Sequence, residues 1–296
     1  MKKETIFGAL MVLSMLFWGL AWPISKMMTA YISPYEVAAI RYALVSLSLI
    51  PVMVFLHIPF KLPKQSLVSI FLVCVFNVLY TLAFYVGLSF GNAGIAGVIV
   101  ATLSPIIASA IGSFIHHYTL SRPQKIGLFF GVISGCFLMR VDDIGLLLSP
   151  FNLIFLAAAF LYAAISLASK TATTHIDPIS LNFYSSLFVF VAFLPSFFFF
   201  DPKELLGLDY KFWFYVFIAS LISTTFATTI FYKGIGILGI TKGGSFMLLV
   251  PVFALLLSWL LLGEIPTTST LIGGAIAMIG VYLINFFRPF RFSSKK

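Results

Sequence analysis

Apolar residues come in long unbroken runs along this chain, separated by short clusters of Pro, Gly and charge. Taking those clusters as boundaries predicts ten spans: 5–27, 35–56, 66–88, 93–116, 124–140, 146–170, 178–200, 212–234, 239–262 and 268–287. Each approaches the ~20 residues that an α-helix needs to cross the hydrocarbon of a bilayer. Barrel strands would instead alternate lipid-facing and lumen-facing residues. Phe188 to Phe200 and Phe246 to Leu262 show no alternation, so the pattern predicts helices. Connections are short: little more than Gly91 and Asn92 between spans three and four, and Gly236 to Gly239 between eight and nine.

Composition agrees with lipid as the solvent. Of 296 residues, 61% are hydrophobic and 9% charged, too few charges to cover a soluble surface of this size. Lys2 and Lys3 precede an apolar run that continues through Trp22 and Pro23 without a small-residue cleavage site, so the reading is a retained first helix. Cys74 and Cys136 both lie inside apolar runs, which indicates no disulfide framework.

The net charge of +9 has a topological explanation. With the N-terminus inside, cytoplasmic segments hold Lys2, Lys3, Lys61, Lys64, Arg122, Lys125, Lys170, Lys233, Lys242, Arg288, Arg291, Lys295 and Lys296, which is 13 of the 18 basic residues. Lys26, Arg41, Arg140, Lys203 and Lys211 fall toward the outer side, so the positive-inside rule predicts both termini in the cytoplasm of a cell whose inner membrane holds the chain. No basic aromatic recognition motif accompanies the charge, and nucleic acid is not an expected partner.

The second half repeats the first. At an offset of 144, Trp18 meets Tyr162, Ser25-Lys26 meets Ser169-Lys170, and Pro34 meets Pro178. At 147, Thr81, Phe84-Tyr85 and Gly87 meet Thr228, Phe231-Tyr232 and Gly234; at 146, Pro105 meets Pro251 and Ile126-Gly127 meets Ile272-Gly273. Collinear matches at near-constant offset indicate a duplication, with residues 1–143 as the first five-helix repeat and 144–296 as the second. An odd number of spans per repeat inserts the second copy upside down. That arrangement, an all-α membrane protein of ten transmembrane helices in two inverted repeats, is one that secondary transporters use to enclose a midplane site.

Phe17-Trp18-Gly19 with Lys26, the Pro34 to Arg41 stretch, the Pro105 and Pro251 helices, and Gly263-Glu264 followed by Ile272-Gly273 resemble the drug/metabolite transporter superfamily, in its ten-helix EamA branch. The resemblance covers nearly the whole length. It implies a ten-helix bundle with cytoplasmic termini that exports amino acids or related small metabolites. One departure is visible: His117-Tyr118 stands where the second repeat has Gly263-Glu264, so no role of that glutamate is carried into the first repeat.

Polar residues inside apolar runs are the candidates for a substrate site, because each needs a partner in lipid. Trp18, Trp22 and Ser25 lie in span one, Asn77, Tyr80, Thr81 and Tyr85 in span three, and Thr102 in span four. Tyr162 and Ser166 lie in span six, and Thr224, Thr228 and Tyr232 in span eight. The bland alternative for each Ser or Thr is a hydrogen bond to its own helix backbone, and for the aromatics it is packing or interfacial anchoring. As a set they predict an aromatic, hydroxyl-rich cavity suited to an uncharged or zwitterionic small-molecule substrate.

Pro105, Pro251, Gly243 and Gly244 are the expected structural or gating positions, through kinks and close helix approach. Arg41 joins them: it lies about two turns into span two, where Glu36 or a span-one carbonyl is its expected partner. Lys26, Lys170, Lys233 and Lys242 lie near predicted ends, where snorkelling accounts for them. No carboxylate falls mid-span, which predicts weak or no proton coupling.

His116-His117 are adjacent and cannot share one helical face as a metal pair, and no Ser and His combination suggests a nucleophile. Neither a metal nor a cofactor is expected, nor an enzyme. The alternative to transport is a membrane-embedded scaffold or sensor. The sequence carries no signal for an oligomeric state.

Overall fold

The computed structural model describes residues 2–115, 120–199 and 207–285. His116, His117 and Tyr118, Asp201, Lys203 and Glu204, and the basic tail from Arg288 lie outside them. Ten long helices run through the described residues: α1 (Lys2–Met28), α2 (Pro34–Phe55), α3 (Leu67–Leu88), α4 (Ala93–Ile115), α5 (Arg122–Leu138), α6 (Pro150–Ala172), α7 (Pro178–Phe193), α8 (Tyr210–Leu238), α9 (Lys242–Leu262) and α10 (Thr268–Asn285). All except α5 are long and apolar enough to cross a membrane as they stand, and α5 is shorter at 17 residues. Phe55, Phe114 and Phe198 are more than four-fifths exposed, as expected where the surrounding solvent is hydrocarbon.

Local chemistry sets the helix starts. Pro34, Pro150 and Pro178 each sit in the first turn, where a missing N–H costs nothing. The Asp177 and Ser149 side chains accept hydrogen bonds from the N–H groups of Ile179 and Asn152. Two predicted boundaries move. The sixth span begins at Pro150 and not at 146, because Asp143 caps a separate turn, Ile144–Leu147. The eighth extends to Leu238, so that Gly239, at φ +83°, alone makes the turn that had been expected from Gly236 onward.

The helices pack as two interlocked halves. α2 lies against α7, α4 against α9 and α5 against α10, so three helices meet their own counterparts in the other half. α1 packs on α8 and α9, and α6 packs equivalently on α3 and α4. This reciprocity is what a pseudo-two-fold axis in the membrane plane produces. Small residues allow the close approaches: a Cβ on Gly127 would lie 2.7 Å from the Gly280 carbonyl oxygen, and one on Gly19 would lie 2.5 Å from Phe253 Cβ. α1, α3, α5, α7 and α9 run away from the face where α1 begins, here called the near face. Lys2 and Asn285 therefore both lie at the near face, and Met28, Gly91 and Gly263 lie at the far face.

Candidate functional site

A cavity of about 750 Å³ occupies the centre of the bundle, within the size range of small-molecule sites. Its mouth is at the near face, where Gln124 of α5, Lys170 of α6 and Asn285 of α10 line it. Its floor is formed by Trp22, Arg41 and Phe84, before the far-face helix ends are reached.

Ten of the thirteen sequence-predicted substrate residues line this cavity. They are Trp18 and Trp22 on α1, Asn77 and Tyr80 on α3, Thr102 on α4, Tyr162 and Ser166 on α6, and Thr224, Thr228 and Tyr232 on α8. Aromatic packing shapes the wall: Tyr80 and Tyr162 ring centroids are 5.1 Å apart, and those of Trp22 and Phe84 are 4.9 Å apart. Thr102 and Ser166 also donate to the carbonyls of Val98 and Tyr162 on their own helices.

Ser25, Thr81 and Tyr85 do not line the cavity. Each is almost fully buried and serves a neighbouring side chain. Ser25 and Tyr85 accept from Arg41, and Thr81 donates to the Tyr42 hydroxyl at 3.2 Å. Of the gating candidates, Pro105, Pro251 and Gly244 line the cavity, whereas Gly243 packs on Ile235, which a Cβ would approach to 2.8 Å. α4 stays α-helical through Pro105, while the turn before Pro251, Phe246–Leu248, is a 3₁₀-helix. Tyr42 and Asn182 also line the wall without having been singled out. Asn182 is legible as an amide inside an apolar run, and its Nδ2 is buried without a hydrogen-bond partner among the described residues.

The expected pairing of Arg41 with Glu36 is not formed. Glu36 lies in the first turn of α2, where it accepts a hydrogen bond from Ser33. The Arg41 Nη1 donates to Ser25 Oγ at 3.2 Å and Tyr85 Oη at 3.0 Å, and Nη2 donates to Thr224 Oγ1 at 3.2 Å. Its guanidinium carbon lies 5.8 to 6.0 Å from the ring centroids of Tyr42, Phe84 and Tyr85.

Thr224 reaches Arg41 from a π-helical stretch, Ile218–Phe226, in the middle of α8. There the Thr224 hydroxyl donates to the Ala219 carbonyl five residues back, and Ser220 donates to the Arg41 carbonyl. The wider turn presents Ser220, Thr224 and Thr225 toward α2, where Thr225 and Ser48 hydroxyls are 2.6 Å apart. Such π-segments recur at functional sites.

At the far face, Lys26 does not snorkel. Its Nζ donates to Glu264 Oε1 at 2.6 Å and to the Gly91 carbonyl at 2.7 Å. Glu264 Oε2 accepts from the Gly94 N–H at 3.1 Å, in the first turn of α4, where the helix dipole favours an anion. Gly263 makes this possible: its φ of +68° ends α9 in a left-handed cap and turns Glu264 inward. One carboxylate and one ammonium thus tie α1, the α3–α4 turn and the end of α9 together over the cavity floor.

The profile of the EamA-like transporter family matches residues 6–140 and again 150–286. The chain belongs to the EamA-like transporter family. Members of this family are transporters, and this chain is therefore a multi-pass membrane protein of a transporter family. An uncharacterized transporter of Archaeoglobus fulgidus is 24% identical over 287 residues, covering 96% of this chain and 99% of its own. A probable amino-acid metabolite efflux pump of Salmonella typhimurium is 29% identical over 298 residues, covering 95% of this chain and 94% of its own. A crystal structure only 16% identical has the same fold, with a TM-score of 0.62 over 96% of this EamA-like chain and 97% of that one.

Proposed function

We propose that the protein is a secondary transporter that moves small metabolites across the inner membrane by alternating access between its two inverted halves. The observation that carries this reading is the central cavity, lined by both halves, open at the near face and tied shut at the far face by Lys26 and Glu264. A site near the bilayer midplane between inverted repeats is the arrangement alternating access requires. The excess of basic residues in the near-face segments supports a cytoplasmic near face, with both termini inside. The substrate-binding residues in this reading are the ten predicted residues that line the cavity.

Export of amino acids or related compounds is the direction and substrate class we favour. It is supported by the name of the Salmonella relative and by a cavity whose resting mouth faces the cytoplasm in this orientation. Counterflow in proteoliposomes tests the reading. Vesicles preloaded with a pool of amino acids and their simple acid derivatives are expected to accumulate an external radiolabelled member of that pool. A scaffold or sensor would show no accumulation above protein-free vesicles with any member.

A further inference from the structure

Arg41 is the feature of the cavity that substrate chemistry has to answer. It is about nine-tenths buried, about two turns from the far-face end of α2 in a bundle that sits in hydrocarbon, and a cation there demands either a counter-ion or a function. Among the described residues no carboxylate lies within 4.0 Å of its guanidinium, and no carboxylate lines the cavity. All its hydrogen-bond acceptors are neutral hydroxyls. Among the described residues, three of the five guanidinium N–H groups find acceptors, and Nε is buried without a partner. The other formal charge on the cavity wall, Lys170 at the mouth, is also positive.

We propose that Arg41 is the anchor for a substrate carboxylate, so that the cavity takes an organic carboxylate anion whose apolar or aromatic body lies against Trp18, Trp22, Tyr80 and Tyr162. The reading rests on the transporter assignment above and names the chemistry its substrate must carry. Two donors on a guanidinium make a fork that matches a carboxylate. The second Nη2 proton is a donor left over, Nε is a further unpaired donor that has no exposed surface in this conformation, and Thr224 is the acceptor a carboxylate would share or displace to reach them. The hydroxyl set that holds Nη1 from behind, Ser25 and Tyr85, fixes the guanidinium without neutralising it. A substrate ammonium finds no anionic partner on this wall, so the carboxylate carries the charge recognition. The polar mouth, with Gln124, Lys170 and Asn285, favours a carboxylate arriving from water over a fatty acid arriving from the bilayer.

The experiment compares ligands on the unaltered protein in nanodiscs, so it does not depend on a variant folding. The probes are 3-phenylpropionate, its uncharged amide, phenethylamine and decanoate, each measured by direct binding. 3-Phenylpropionate is expected to bind at least about tenfold more tightly than the amide or the amine, the gap that a charge-assisted hydrogen bond supplies. Arg41→Gln is expected to close that gap by weakening the acid alone. Equal or tighter binding of the amide or amine would overturn the anchor, and so would tight decanoate binding with weak 3-phenylpropionate binding, which would mark a lipid site. Failure of the anchor is distinguishable from failure of the transporter reading, because counterflow of amino-acid substrates would persist in the first case and be absent in the second.

Discussion

A guanidinium held in hydrocarbon needs acceptors for its N–H groups, and Tyr85 supplies one at 3.0 Å from Nη1 while almost fully buried itself. Tyr162 is its contrast: more than a third exposed, it presents its ring to the cavity and packs on Tyr80. Removing the hydroxyl from each separates support from contact. Tyr85→Phe is expected to cost about 1.5 to 3 kcal/mol, the range for a hydrogen bond to a charged group, seen as a lower thermal midpoint of the purified protein. Tyr162→Phe is expected to change stability by less than about 0.5 kcal/mol and to show its effect in the apparent affinity for substrate. Equal losses of stability would contradict the division. Sequence located both tyrosines as polar groups in apolar runs but did not tell them apart. Which way a side chain faces depends on how its helix is rotated about its axis, and that is fixed by packing against the other half. The same cause misdirected Arg41: the reading looks to Glu36, five residues away, or to a carbonyl of α1, while the partners are hydroxyls 16, 44 and 183 residues away, only Ser25 of them on α1.

The elements were more legible than the contacts, because a run of apolar residues long enough to cross a bilayer admits few other structures. What the pattern missed were the irregular turns within them: the separate turn Ile144–Leu147, the π-segment Ile218–Phe226 and the 3₁₀ stretch before Pro251. The first depends on the Asp143 carboxylate cap, the second on hydroxyl hydrogen bonds and the third on a proline's missing N–H, and apolar periodicity carries none of these. The end of α9 shows how such a detail acts on a whole element. Gly263 caps the helix, Glu264 turns inward, and α9 is thereby fastened to α1 and to the start of α4. Glu264→Gln keeps the shape and removes the charge that Lys26 and the Gly94 N–H share. Loss of a partly buried charge-assisted contact of about 1.5 to 3 kcal/mol would shift the balance between cavity openings by roughly tenfold or more. The measurement is labelling of Ser166→Cys, in a background with Cys74→Ser and Cys136→Ser, by a membrane-impermeant maleimide. Labelling is expected from the near face alone when Glu264 is intact, and from the far face as well in Glu264→Gln. Unchanged sidedness would mean that the Lys26–Glu264 pair does not hold the far face shut.

At the scale of the whole molecule, the duplication was readable in the sequence because collinear offsets survive even where the individual matches are weak. The reciprocal packing of α1 with α8 and α9, and of α6 with α3 and α4, is its three-dimensional counterpart. The two ends of the molecule are nevertheless not equivalent. At the far face Lys26 has Glu264, whereas Lys170, its counterpart by the offset of 144, lines an open mouth. Under the proposed alternating access, an inverted duplication with one fastened end should have a preferred opening, with the fastener undone in every cycle. Covalent closure makes this testable. In the same background, Lys26→Cys and Glu264→Cys joined by a short bifunctional thiol reagent would hold the far face closed while leaving the cavity reachable from the near face. Binding of a ligand from the near face is expected to persist, counterflow is expected to stop, and a cleavable linker should restore it on reduction. Continued counterflow with the bridge in place would show that substrate passes without the far face opening, and alternating access between these two ends would have to be abandoned.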